Sequence, residues 1–320
     1  MNLNLLIENL TNPALLFFVL GVLAVMVKSD LEIPPGSSKF ISLYLLFSIG
    51  FKGGQELAHS TFDSQILWSV AIGVSLSAII PLYTFFLLKL KLNVYDSGAI
   101  AAAYGSVSAV TFVTAVAFLE VLQIPFSGHM VAVMALMEVP AIVVGVILIR
   151  LYIGQTEQNQ GLKQIVLHAV TNGSVLLILG SLAIGFIASD QQAQGIKPFT
   201  TDIFKGFLAI FLLDMGIVSG RKLKDFFQSG WFVTAFAVII PFVNGCVIAA
   251  LSGWFIEDIG NRFILAVLAA SASYIAVPAA MKIAVPKANP GLFIPMALAV
   301  TFPFNITFGM PIYLTIIQMF

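Results

Sequence analysis

Three stretches of this chain, residues 64 to 88, 226 to 256 and 288 to 320, contain no Asp, Glu, Lys or Arg. Each is longer than the ~20 apolar residues that a helix needs to cross a bilayer. The fold is therefore predicted to be all-α and integral to the membrane. Composition agrees: 59% of the residues are hydrophobic and 9% are charged, against about 25% charged in soluble domains. Net charge is zero, with no basic run, which argues against a nucleic-acid partner. Cys246 stands alone, and His59, His129 and His168 are far apart, so neither a disulfide framework nor metal-ligand spacing is present. The first basic residue, Lys28, follows the first apolar segment, which does not suit a cleavable signal peptide, and Met1 is the expected mature start.

Apolar runs between charges predict ten spans: 13 to 27, 38 to 54, 65 to 88, 97 to 118, 129 to 151, 173 to 188, 203 to 220, 230 to 255, 263 to 283 and 290 to 318. The second and seventh are short and carry Lys52 and Asp214. An internal repeat at an offset of 160 to 166 residues supports both of them. Gly50 and Gly54 recur as Gly216 and Gly220, "IIP" at 79 to 81 recurs at 239 to 241, and Ser106 and Ser108 recur as Ser271 and Ser273. "MAL" at 134 to 136 recurs at 296 to 298, and Pro140 recurs as Pro303. Each half then holds five spans, residues 1–152 and 173–320, joined by a linker, 153–172. An odd number of spans per half inverts the second half relative to the first, the pattern of secondary transporters. The Gly-x-x-x-Gly pairs offer small faces for close helix packing.

Orientation follows from the basic residues. With both termini outside, Lys28, Lys39, Lys89, Lys91, Arg150, Lys163, Arg221, Lys222, Lys224, Lys282 and Lys287 face the cytoplasm, eleven of fifteen. Lys52, Lys197, Lys205 and Arg262 fall outside, and the polar linker is cytoplasmic.

Spans four and nine carry the two most polar membrane segments, "AAYGSVSAVTF" and "LAASASYIAVP", at equivalent places in the two halves. They are predicted to be broken helices that cross near the midplane, with Gly105 and Pro278 helping the breaks. Half-helix N-termini offer orphan N–H groups and partial positive charge, so a small anion can be held without an arginine. Gly105, Ser106, Ser108, Thr111, Ser271, Ser273 and Tyr274 form the candidate substrate site. The alternative role of such serines is bonding to their own helix and easing packing.

Glu138 lies deep in span five, where a charge costs upwards of ~2.5 kcal/mol, and a function is its default explanation. With Thr301 and Asn305 around Pro303, and carbonyls loosened by Pro140, it forms a candidate Na+ site of hard oxygen ligands. The alternative for Glu138 is pairing with a lysine.

The segments "FSIGFKGG", "YGSVSAVT", "LMEVPAIV", "LAASAS" and "PKANPGLFIPMALAVTFPFNITFGMPIY" make the chain resemble the SbtA-type sodium-dependent bicarbonate permeases over essentially its whole length. The resemblance implies a gate of spans 1, 2, 6 and 7 beside a mobile core of spans 3–5 and 8–10. It also implies Na+-coupled bicarbonate symport by an elevator-like movement in the cell inner membrane, in a trimer, with a PII-like protein as a regulatory partner. No cofactor is implied beyond Na+ as coupling ion. The chain departs from the family pattern at Tyr274, where an acid is expected, at Ala276 and Val277, and at Ala109 and Val110, which makes the expected pocket less polar. The competing reading is a sodium- or proton-coupled carrier of another small organic anion. A membrane enzyme would need a catalytic constellation near the interface and a sensor a soluble output segment, and the sequence offers neither.

Overall fold

The structure, a computed structural model, describes residues 11–60, 63–153, 162–227 and 230–320. These residues are helical, with no β-strand among them. In order the helices are α1 (Pro13–Met26), α2 (Pro35–His59), α3 (Ser64–Leu88), α4 (Val94–Gly105), α5 (Ala109–Val121), α6 (His129–Ile153) and α7 (Leu162–Val170). The second half brings α8 (Gly173–Ile187), α9 (Asp190–Lys197), α10 (Phe204–Phe227), α11 (Trp231–Leu251), α12 (Ile259–Ala269), α13 (Ala276–Ala284) and α14 (Pro290–Ile317). Six helical stretches are long and apolar enough to cross a membrane, and the protein is a multi-pass membrane protein.

Local chemistry sets the helix starts. Asn12, Asn93 and Asn172 each accept a backbone N–H from the first turn of α1, α4 and α8, and Asp258 does the same for α12. The "ANP" triplet is such a start: the Asn289 side chain accepts from the Gly291 amide at 2.9 Å, and Pro290 occupies the first helical position, where its missing N–H costs nothing. The Asn289 amide also donates to Asp96 Oδ1 at 2.7 Å, tying α14 to the start of α4. α14 carries Pro295, Pro303 and Pro311, and it widens to π-helical turns at Met296–Thr301 and Asn305–Gly309, since a proline removes one i→i−4 bond and crowds the preceding turn.

Burial separates inside from outside. In the most apolar stretch of α3 and of α11, 33% of the residues are buried, against 89% for the broken span α4–α5. The broken spans thus fill the interior while α3 and α11 turn a face to lipid. α4 packs on α3 and α6; α12 packs on α11 and α14. The half-helices also pair crosswise, α5 on α12 and α13 on α4. Beside this group, α1 lies along α10 and α2 along α8.

Several expectations need correction. Spans two and seven are not short: α2 has 25 residues and α10 has 24. Their charges hid them from a hydropathy reading, yet both are neutralised or bonded, Lys52 by Glu120 and Asp214 by the Ser38 hydroxyl. α6 runs unbroken through Pro140, which still leaves the Leu136 carbonyl without its helical N–H partner. Within the linker, Leu162–Val170 form the helix α7; residues 154–161 lie outside the described residues.

Candidate functional site

The two breaks meet. α4 stops at Gly105 and α5 resumes at Ala109; α12 stops at Ala269 and α13 resumes at Ala276. The Ser108 amide donates to the Ser271 hydroxyl at 3.1 Å, and the Ser273 amide donates to the Ala103 carbonyl at 2.8 Å. Ser271 in turn donates to its own Leu268 carbonyl at 2.9 Å. Ser108 and Ser273 also cap the half-helices: Ser108 Oγ accepts from the Thr111 amide at 3.1 Å, and Ser273 Oγ from the Val277 amide at 3.2 Å. These bonds are the structural role of the serines: their hydroxyls hold the crossing and its helix starts together. Ser106 is fully buried and its hydroxyl has no partner among the described residues.

Gly105 and Pro278 do not act as expected. A Cβ at Gly105 would strike the Pro81 ring of α3, so glycine there permits close packing, and the break comes after it. Pro278 sits in the first turn of α13, where proline fits a helix start, and the break precedes it.

Beside the crossing is a chamber with about 440 Å³ of atom-free space, of which about 20 Å³ can hold the centre of a water molecule. Its polar lining is Glu138, Ser42, Ser108, Ser174, Ser273 and Tyr274. Val107, Val110, Val113, Leu45, Leu46 and Phe211 supply much of the remaining wall. Ala109, Val110 and Ala276 also line it, and their amides, in the first turns of α5 and α13, have no intrahelical acceptor. No Lys, Arg or His lines the chamber. Glu138 is 5% exposed and its Oε2 has no hydrogen-bond partner among the described residues. A buried carboxylate without a cation is costly, and no lysine relieves it here.

The expected cation set is divided. Thr301 Oγ1 donates to the Ala237 carbonyl at 2.7 Å and meets the Tyr104 hydroxyl at 2.7 Å. Asn305 donates to the Ala270 carbonyl at 2.5 Å and accepts from the Tyr313 hydroxyl at 2.9 Å. Neither residue lines the chamber or bonds to Glu138; they brace α14 against α11 and the end of α12.

Along α2 the surroundings change in order. Pro35, Ser38, Lys39 and Ser42 line an open vestibule of about 1230 Å³, with Glu32, Asp214 and Arg221. Ser42, Leu45 and Leu46 line the chamber. Lys52, ten residues or ~15 Å beyond Ser42, makes an ion pair of 2.8 Å with Glu120 of α5, Lys205 lies 4.0 Å from the same carboxylate, and further cavities open beside Lys52. The chamber wall contributed by Ser42, Leu45, Leu46, Ser174 and Phe211 was not foreseen, because single serines, leucines and phenylalanines in apolar helices carry no signal of their own.

A chamber built on two crossed broken helices, with one bare carboxylate and no fixed cation, is an arrangement for moving ions. The family model for the Na+-dependent bicarbonate transporter superfamily matches residues 13–318. This chain belongs to that superfamily. The family assignment makes it a transporter and agrees with the resemblance carried by the motifs. No curated protein matches the chain.

Proposed function

We propose that this member of the superfamily is a Na+-coupled bicarbonate symporter. The observation that carries the reading is Glu138, buried and unpartnered in a chamber that also presents two half-helix N-termini. An anion held by the amides of Ala109, Val110 and Ala276 and by Ser108, Ser273 and Tyr274 would face that carboxylate. At ~5 Å and an effective dielectric of ~20, the two negative charges repel by about 3 kcal/mol. A Na+ on Glu138, completed by chamber hydroxyls and carbonyls, turns that repulsion into attraction, so each ion favours the other. Gly105, Ser106, Thr111 and Ser271 then belong to the crossing that shapes the site, and Thr301 and Asn305 to the bracing behind it.

The reading extends to alternating access. Ten spans in two inverted halves account for the pairing of α1 with α10 and α2 with α8, that is, span one with seven and two with six. These four form the gate, and α3–α6 with α11–α14 the moving core. The larger vestibule lies at the Lys39 and Arg221 end and reaches the chamber walls at Ser42 and Tyr274, which supports an inward-facing state with an elevator-like transition to an outward one. Both termini lie outside in this arrangement. A single cysteine at Gln158 in a Cys246→Ser background should react only from the cytoplasmic side; reaction from outside in intact cells would overturn the orientation and the inverted repeat together.

Labelled bicarbonate uptake into proteoliposomes tests the function. An inward Na+ gradient should stimulate uptake at least tenfold over equal Na+ on both sides, and equal uptake in the two conditions would refute symport. The apolar wall of Val107, Val110, Val113, Leu45 and Leu46 favours a second reading, a carrier of another small organic anion with an apolar part, and competition by acetate or propionate separates the two.

A further inference from the structure

Chamber and vestibule share five lining residues: Ser42, Ser174, Phe211, Tyr274 and Ile275. The two spaces adjoin at these residues. On one side about 20 Å³ is open to water centres and on the other about 520 Å³. The smaller figure is room for roughly one water, whereas bicarbonate has four heavy atoms, so the chamber wall must move before any such anion reaches Glu138.

Which residue yields can be argued from the backbone. Phe211 is 2% exposed inside the unbroken helix α10. Ser42 and Ser174 are small and sit on continuous helices. Tyr274 and Ile275 lie in the gap between α12 and α13, outside any helix; Ile275 is 44% exposed, and Tyr274 carries the largest side chain of the five. Its hydroxyl meets the Met215 sulfur of α10 at 4.0 Å, its ring meets Phe302 edge-on at 6.4 Å, and the side chain packs against both apolar clusters. Ser108, at the start of the other half-helix, lies beside it. The side chain thus leans from the crossing onto α10, with its hydroxyl between Ser108 and Met215.

We infer that Tyr274 is the inner gate of the substrate chamber and sets the size of the anion that passes. The inference rests on the transport reading above, and it assigns to this chain a device of its own: an aromatic lid mounted on the break, with a hydroxyl near the anion site. Rotating the ring joins chamber and vestibule without moving a helix. Shortening it leaves a permanent opening and weakens the exclusion of larger anions.

The test reads access apart from transport. Val110→Cys, on the chamber wall, is introduced into the Cys246→Ser background, and its reaction with a charged methanethiosulfonate is followed in purified protein. With Tyr274 present the reaction should be slow. Tyr274→Phe should leave the rate within about twofold, Tyr274→Leu should raise it, and Tyr274→Ala should raise it at least tenfold. In uptake, Tyr274→Ala should let propionate compete at least tenfold better, while Tyr274→Phe should not. Equal labelling in all four proteins would overturn the gate. Ala101→Cys, fully buried, serves as a folding control: if it becomes reactive in Tyr274→Ala, that variant is unfolded and the ranking of Leu over Phe must carry the inference, or it fails. If wild-type protein moves no bicarbonate but the labelling series holds, the substrate reading falls and the gate stands.

Discussion

Glu138→Gln is expected to raise the half-saturating Na+ concentration for uptake at least tenfold while leaving the protein folded. The substitution keeps shape and one oxygen and removes the charge. Interactions with a charged partner contribute about 1.5–3 kcal/mol, and each 1.4 kcal/mol is a factor of ten in affinity. Anion affinity should fall mainly through lost coupling, because linkage is reciprocal: if Na+ tightens the anion by some factor in the wild type, the anion tightens Na+ by the same factor. In Glu138→Gln both factors should approach one. Stability supplies an independent sign. Oε2 has no partner among the described residues, so removing the charge removes a desolvation cost, and the melting temperature in Na+-free buffer should hold or rise. Added Na+ should raise the melting temperature of the wild type and not that of the variant. A well-folded Glu138→Gln with wild-type Na+ dependence would show that the carboxylate is not a cation ligand.

The sequence disclosed the site unevenly, for reasons that can be traced. The polarity of "AAYGSVSAVTF" and its repeat mate located both breaks, because hydroxyls and small residues in a membrane helix imply a partner other than lipid. Bareness at Glu138 could be suspected from depth alone. The grouping of Glu138 with Thr301 and Asn305 rested on the repeat, which matches Pro140 to Pro303, and so Glu138 to Thr301. An inverted repeat carries matched positions to opposite sides of its axis, so such matches are equivalents and need not be neighbours. Thr301 accordingly bonds to Ala237 and Tyr104, away from the chamber. Gly105 and Pro278 misled in another way: residues that commonly break helices also pack closely or start helices, and only the neighbouring Pro81 ring and the frame of α13 decide between these roles. Ser42, Ser174 and Phe211 come from helices remote in sequence, and only packing assembles them.

The glycines of the α1–α10 and α2–α8 pairs carry the remaining prediction. Gly54→Leu and Gly216→Leu should each abolish the accumulation of folded protein, a loss of more than about 3 kcal/mol. The contacts are mutual. A Cβ built at Gly54 would run into the Leu182 carbonyl of α8, and one at Gly185 into the Phe51 carbonyl of α2. In the other pair, a Cβ at Gly216 would run into the Phe18 carbonyl of α1, and one at Gly21 into the Leu213 carbonyl of α10. Backbone cannot step aside as a side-chain tip can, so the helices must separate along the whole contact. In lipid no hydrophobic term compensates, because tails are as apolar as leucine and association rests on close packing. The same helices hold their own controls. Gly180 of α8 has nothing within 4 Å of a built Cβ, so Gly180→Ala should keep full yield and gain up to about 1 kcal/mol from helix propensity. At Gly220 the nearest atom is the Val25 Cβ at 3.1 Å, a crowding far milder than the carbonyl overlaps, so Gly220→Ala should lower the melting temperature only slightly. Detergent-solubilised yield and melting temperature across these variants give the ranking directly. Wild-type values for Gly54→Leu would mean that α2 and α8 are not in contact through this face, and the rigid gate assumed for alternating access would lose its basis.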